Sequence, residues 1–161
     1  MKILKINMSS EEDSPHVVAP PPLIYLAGLG VGFFLQWIVP ISFMPENLVP
    51  IGIIFVVSSI LLVIGAIRSF MMAKTNIDIR KPSTNIVATG PYRFSRNPMY
   101  LSMALLVAGI AIWVNSLWIL ITLIPSLIVI QIGVIAREEK YLTEKFGDEY
   151  VQYKTQVHRW I

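Results

Sequence analysis

The chain has no cysteine, and its two histidines, His16 and His158, stand far apart. That excludes disulfides, thiolate catalysis and cysteine-ligated metal, and no histidine spacing of the metal-binding kind is left. Charge is scarce too. Only 14% of the 161 residues are charged, where a soluble domain carries about a quarter. There is no glycine-rich phosphate loop, no Ser/His/Asp arrangement, no internal repeat and no low-complexity tract. Neither a metal nor a nucleic-acid partner is expected.

What is present is apolar sequence in long blocks, 55% hydrophobic residues with a mean hydropathy of +0.64. These predict an all-α integral membrane protein with the bilayer as its first partner. Residues 1–22, with Asn7-Met8-Ser9 and Glu11-Glu12-Asp13, read as a mobile tail rather than a signal peptide, with Pro20-Pro21-Pro22 as a stiff spacer. Residues 23–72 hold two spans, Leu23 to Val39 and Leu48 to Met72. Gly28, Gly30 and Gly32 suit close helix packing. Arg68, a turn from the end of the second span, either snorkels to the interface or faces inward. Residues 73–161 form the core: a long polar loop, a hairpin over 98–136 and a charged tail. The hairpin joins spans Pro98 to Val114 and Leu117 to Ile135 through Asn115-Ser116, with a kink at Pro125.

Basic residues fix the orientation. The loop holds Lys74, Arg80, Lys81, Arg93 and Arg96, and the short connections Pro40–Asn47 and Asn115-Ser116 hold none. With four crossings, all 13 basic residues fall at or near one face. The positive-inside rule makes that face cytoplasmic, with both termini inside.

The stretch from Gly90 to Tyr100 packs Tyr92, Arg93, Arg96, Asn97 and Pro98 into the entrance of the third span. Gly90-Pro91 makes a turn, Asn97 suits an N-cap and Pro98 the first helical turn. Such a helix start suits an anion. It equally suits a plain interfacial anchor, with arginines on lipid head groups. Beyond Arg137, residues Leu142, Phe146, Tyr150 and Tyr153 recur at helical spacing, and Gly147 is placed to break the helix. Glu138 and Glu139 are either part of a solvated face paired with Lys140 and Lys145, or site residues brought beside Arg93 and Arg96 by the tight hairpin. A cation from Arg159 would complete a site for a small zwitterion, open sideways to lipid.

Thr89-Gly90-Pro91-Tyr92-Arg93-Phe94-Ser95-Arg96-Asn97-Pro98-Met99-Tyr100 resembles the signature of the isoprenylcysteine carboxyl methyltransferase family, which belongs with the phospholipid methyltransferases. The tail from Glu138-Glu139 through Gly147, Tyr150, Tyr153 and Arg159-Trp160 is similar to that family's second motif. The resemblance covers roughly the C-terminal half. It implies an S-adenosylmethionine-dependent membrane methyltransferase without a Rossmann domain, acting on an amphiphilic or prenylated acceptor from the bilayer. Arg96, Glu138 and Glu139 would then serve catalysis, Arg96 by holding the reacting group, a carboxylate in the prenylcysteine enzymes. Gly90, Tyr92, Asn97, Tyr100, Glu139, Tyr150, Tyr153 and Arg159 would line or close the cofactor site. Asn97 stands where the prenylcysteine enzymes usually carry histidine, and it cannot take up a proton near neutral pH. Ser102 stands where many relatives have glycine. Other readings are a phospholipid-amine or small-thiol methyltransferase, a nicotinamide-dependent membrane reductase and a non-catalytic scaffold.

The orientation has a direct check. Single cysteines replacing Glu46 and Asn115 should react with an impermeant thiol reagent added outside, and one replacing Lys81 should not. Labelling of the Lys81 cysteine from outside would invert the scheme.

Overall fold

The computed structural model describes residues 14–78 and 81–161. The sequon at Asn7, the acidic run at Glu11 and the loop residue Arg80 lie outside them. Among the described residues the chain is helical, with no strand and one isolated parallel bridge between Ser95 and His158. Four apolar helices come first: α1 (Pro21–Ile38), α2 (Ile51–Ala73), α3 (Pro98–Trp113) and α4 (Leu117–Val129). The fourth continues through a π-turn, Ile130–Ile135, into the charged α5 (Ala136–Phe146), and α6 (Asp148–Gln156) follows. Three helical stretches are long and apolar enough to cross a membrane: Pro21–Ile38, Glu46–Ala73 and Leu117–Phe146. Helix α3 is apolar but shorter.

The predicted proline spacer is corrected in part. Pro21 and Pro22 form the first turn of α1, where proline's missing N–H was unpaired anyway and its fixed φ already suits the helix. Gly147 breaks the tail as expected, at φ +56, a backbone setting that costs glycine little. Arg68 is exposed on α2, so it faces outward.

Helices α3 and α4 pack as a hairpin, α2 lies against α3 and α1 against α4. Small residues set these approaches. A Cβ on Gly28 would lie 2.3 Å from Ser126 Oγ, and one on Gly32 would lie 2.8 Å from the Ile119 backbone. Gly30, between them, has no neighbour within 4 Å. Between α2 and α3, a Cβ on Gly52 would meet the backbone of Trp113 and Gly109 at 2.5–2.6 Å. Close backbone contact of this kind holds helices together where lipid leaves no hydrophobic drive. One buried hydrogen bond on each side adds to it: Ser59 Oγ donates to the Ser102 carbonyl (2.7 Å) and Tyr25 Oη to the Tyr100 carbonyl (3.1 Å).

The hairpin turn is anchored from outside. Asn115, at φ +51, accepts from the amides of Phe43 and Met44 through Oδ1 and donates to the Met44 carbonyl. Ser116 caps α4 by accepting from Ile119, and its hydroxyl donates to Gln36 Oε1 (2.9 Å). Trp118 Nε1 donates to the Val39 carbonyl (2.8 Å). The α1–α2 connection and the hairpin turn therefore close one end of the bundle.

Replacing Gly32 with leucine should destabilise the protein by about 1–3 kcal/mol, because backbone rather than a flexible side chain fills the space. Gly30→Leu should be near neutral. Thermal unfolding in detergent checks the contrast.

Candidate functional site

At the other end, the loop after α2, the N-terminus of α3, helix α5 and the chain's last residues converge. The loop is cross-linked to itself. Thr84 N–H donates to Thr75 Oγ1, Asn85 Nδ2 to the Ala73 carbonyl and Asn76 Nδ2 to the Pro82 carbonyl. It leads into a 3₁₀ turn at Gly90–Arg93. A Cβ on Gly90 would lie 2.4 Å from Ser69 Oγ on α2, and Gly90 has φ +58. Glycine is needed there for the turn and the close approach.

The C-terminal segment docks on the start of α3. Arg96 N–H donates to the His158 carbonyl (2.9 Å), and Asn97 Nδ2 donates to the Arg159 carbonyl (2.9 Å). Asn97 does occupy the N-cap position, but its side chain caps nothing. It spends its donor on the tail instead. Trp160 Nε1 donates to Gln131 Oε1 (2.8 Å), a second tie between the tail and the hairpin. Tyr153 Oη donates to the Tyr92 carbonyl (2.7 Å), so α6 also folds back on the 3₁₀ turn.

Adjacent residues on a helix point about 100° apart, and the two glutamates of α5 part accordingly. Glu139 is buried and receives both arginines. Arg96 Nη2 lies 3.0 Å from Oε1, and Arg159 grips the carboxylate with Nε (3.1 Å) and Nη2. The hydrogen bond to Glu139 and its charge hold the Arg159 guanidinium protonated above its ordinary range, against a desolvation that lowers it. Glu138 instead accepts from Tyr100 Oη (2.8 Å).

A cavity with about 80 Å³ of enclosed space opens beside this clamp. The third helix and the turn before it contribute Tyr92, Arg96, Asn97, Met99 and Tyr100. The tail helices contribute Glu138, Leu142, Tyr150 and Tyr153. The loop adds Asn76, Ile77, Ser83 and Asn85 to Val87, with Phe70 from α2 and Pro15 from the segment before α1. Arg96 Nε is buried there without a hydrogen-bond partner. Burial pushes the Tyr153 hydroxyl up to about 12 and those of Tyr92 and Tyr150 higher still, so all three are donors at physiological pH and none is a base. A mostly apolar cleft of about 240 Å³ adjoins the cavity, sharing Ile77, Met99 and Tyr100 and running past Met103 to Pro20–Pro22.

Of the residues expected from sequence, Tyr92, Arg96, Asn97, Tyr100, Glu138, Tyr150 and Tyr153 line the cavity. Gly90, Glu139 and Arg159 stand behind it, in the turn and the clamp. Sequence reasoning missed the loop asparagines, Ser83 and Pro15. The length of the loop pointed to function, but nothing in it marked which residues face inward. Among the described residues no cluster of histidine and acid side chains suited to a metal is present.

The sequence profile described as phospholipid methyltransferase matches residues 48–149. An uncharacterized protein of Haemophilus influenzae is 43% identical over 63 residues, 39% of this chain and 100% of that one. No solved structure matches.

Glu139→Gln should leave two arginines facing a neutral amide. Breaking a buried pair costs about 3–5 kcal/mol, and Arg159 is exposed enough to place the loss near the lower end. The melting temperature should fall by roughly 6–12 °C. An unchanged transition would mean that Glu139 does not clamp the tail to the hairpin.

Proposed function

Because this chain belongs to the phospholipid methyltransferase family and is a membrane methyltransferase, we propose that it moves a methyl group from S-adenosylmethionine to the polar head of an amphiphilic acceptor drawn from the bilayer. The observation that carries the reading is the pairing of Glu138 and the unpartnered Arg96 Nε in one aromatic-walled cavity. The donor set fits the cofactor. A zwitterionic amino-acid end needs one anion and one cation, and these two groups are one of each. An adenosine end needs flat apolar surface and amide partners, which the tyrosines, Phe70 and the loop asparagines offer.

Bound S-adenosylmethionine supplies a methyl already activated by a sulfonium. The chain's own residues therefore need only bind, align and exclude water. Tyr100 holds the Glu138 carboxylate in place through its hydroxyl, and Arg96 is held by Glu139 with its buried Nε left without a partner. The expected role of Arg96 as holder of an acceptor carboxylate is kept in this reading, with Nη2 already in contact with Glu139. A lipid amine is the second reading for the acceptor, with the Glu138 carboxylate on the cavity wall then turned to the acceptor instead of the cofactor.

The apolar cleft beside Met99, Met103 and the proline run suits a hydrocarbon tail entering beside α1 and α3. We take the four apolar helices to cross the bilayer, with the cavity and both termini on the cytoplasmic side, as the basic residues require.

Methyl transfer from labelled S-adenosylmethionine to acceptors of one head group and graded tails, in micelles at fixed mole fraction, tests this. Each added methylene contributes up to about 0.8 kcal/mol of burial, so kcat/KM should climb several-fold per two carbons until the cleft is filled. A rate independent of tail length, or best with water-soluble thiols, would overturn the amphiphilic acceptor.

A further inference from the structure

The segment ahead of α1 lies outside the residues that the family profile matches, yet it touches the site. Pro15 is buried and lines the cavity. His16 takes φ +44, a left-handed setting that a non-glycine residue keeps only when held. Its carbonyl accepts from Arg137 Nη1 of α5 at 2.7 Å. Two residues on, Val18 N–H donates to the Gly133 carbonyl at 3.2 Å. Gly133 lies in the π-turn, where i→i+5 pairing departs from the regular helical ladder. A Cβ on Gly133 would come within 3.0 Å of the Val18 side chain.

We propose that Ser14–Pro20 is a strap that forms one wall of the cavity, with Arg137 and Gly133 as the positioning residues that hold it down. The proposal rests on reading the cavity as the cofactor site. Both anchors belong to the helix that also carries Glu138 and Glu139. The π-turn thus presents a carbonyl to the strap while the next turn presents the two carboxylates to the site. Opening the strap uncovers the Pro15 side of the cavity to water, so release of bound cofactor is coupled to two hydrogen bonds that lie outside the cavity. Close to Arg137 on α5, Glu138 is turned to Tyr100 and Lys140 is paired with Glu144 at 3.8 Å on the exposed face.

Two readouts on the full chain in detergent test the proposal. Amide hydrogen exchange over residues 14–20 reports the strap without any cofactor. Stopped-flow displacement of bound S-adenosylmethionine reports its consequence. Arg137→Ala should raise exchange over 14–20 about tenfold and speed cofactor release about fivefold. Arg137→Lys, which keeps a cationic donor, should restore most of both. Gly133→Val should act like Arg137→Ala through the Val18 contact, and Lys140→Ala should change neither. A tenfold rise in exchange with unchanged release would overturn the strap as a wall of the site, as would an unprotected Val18 amide in the wild-type chain. A wild-type chain that binds no S-adenosylmethionine would instead overturn the reading of the cavity, and exchange alone would then decide whether the strap is held.

Discussion

One carboxylate shared between two arginines organises the functional end of this protein. Glu139 is buried, and a lone charge there would be costly at the edge of an apolar bundle. With Arg96 on one side and Arg159 on the other it becomes a clasp between the start of α3, the helix after the π-turn and the last residues of the chain. The tail is then close enough for the backbone bond from Arg96 to His158 and the side-chain bond from Asn97 to Arg159. The clasp works together with the Trp160 bond to Gln131 and the Tyr153 bond to the Tyr92 carbonyl in holding the tail against the hairpin.

The two ends of the bundle are built for different purposes. At the hairpin turn, Asn115, Ser116, Gln36 and Trp118 saturate the backbone of a short connection and leave little to move. Through the middle, Gly52 against Gly109 and Gly32 against Ile119 let backbones touch. At the opposite end the chain uses its long loop, its charges and most of its buried tyrosines to surround a space. A rigid lower bundle is what allows groups from five separated stretches of sequence to keep their geometry around that space.

Much of the fold was legible in the sequence because membrane helices are written in composition. Apolar runs, Pro98 and the Asn115-Ser116 turn set the starts of the four helices to within about three residues. The glycine triplet was read as packing, and two of its three members do pack. The site was legible as a set of residues, since the motif between Gly90 and Tyr100 and the paired glutamates are local features. The division of labour within the set was not. Which glutamate meets the arginines depends on helix phase, and a π-turn just upstream changes that phase without any propensity signal. The Asn97 side chain satisfies a carbonyl 62 residues away rather than its own helix, a choice fixed only once the tail has docked. The strap was hidden for the same reason, because its partners lie more than a hundred residues downstream.

The function of this end of the molecule turns on whether the cavity between Glu138 and Arg96 holds S-adenosylmethionine. Equilibrium binding of the radiolabelled compound to the detergent-purified chain measures this most directly, with Glu138→Gln as the comparison. Saturable one-to-one binding, weakened at least tenfold by Glu138→Gln while the variant keeps its thermal transition, is the predicted result. Absence of saturable binding to the wild-type chain, or equal affinity in the two proteins, would contradict it.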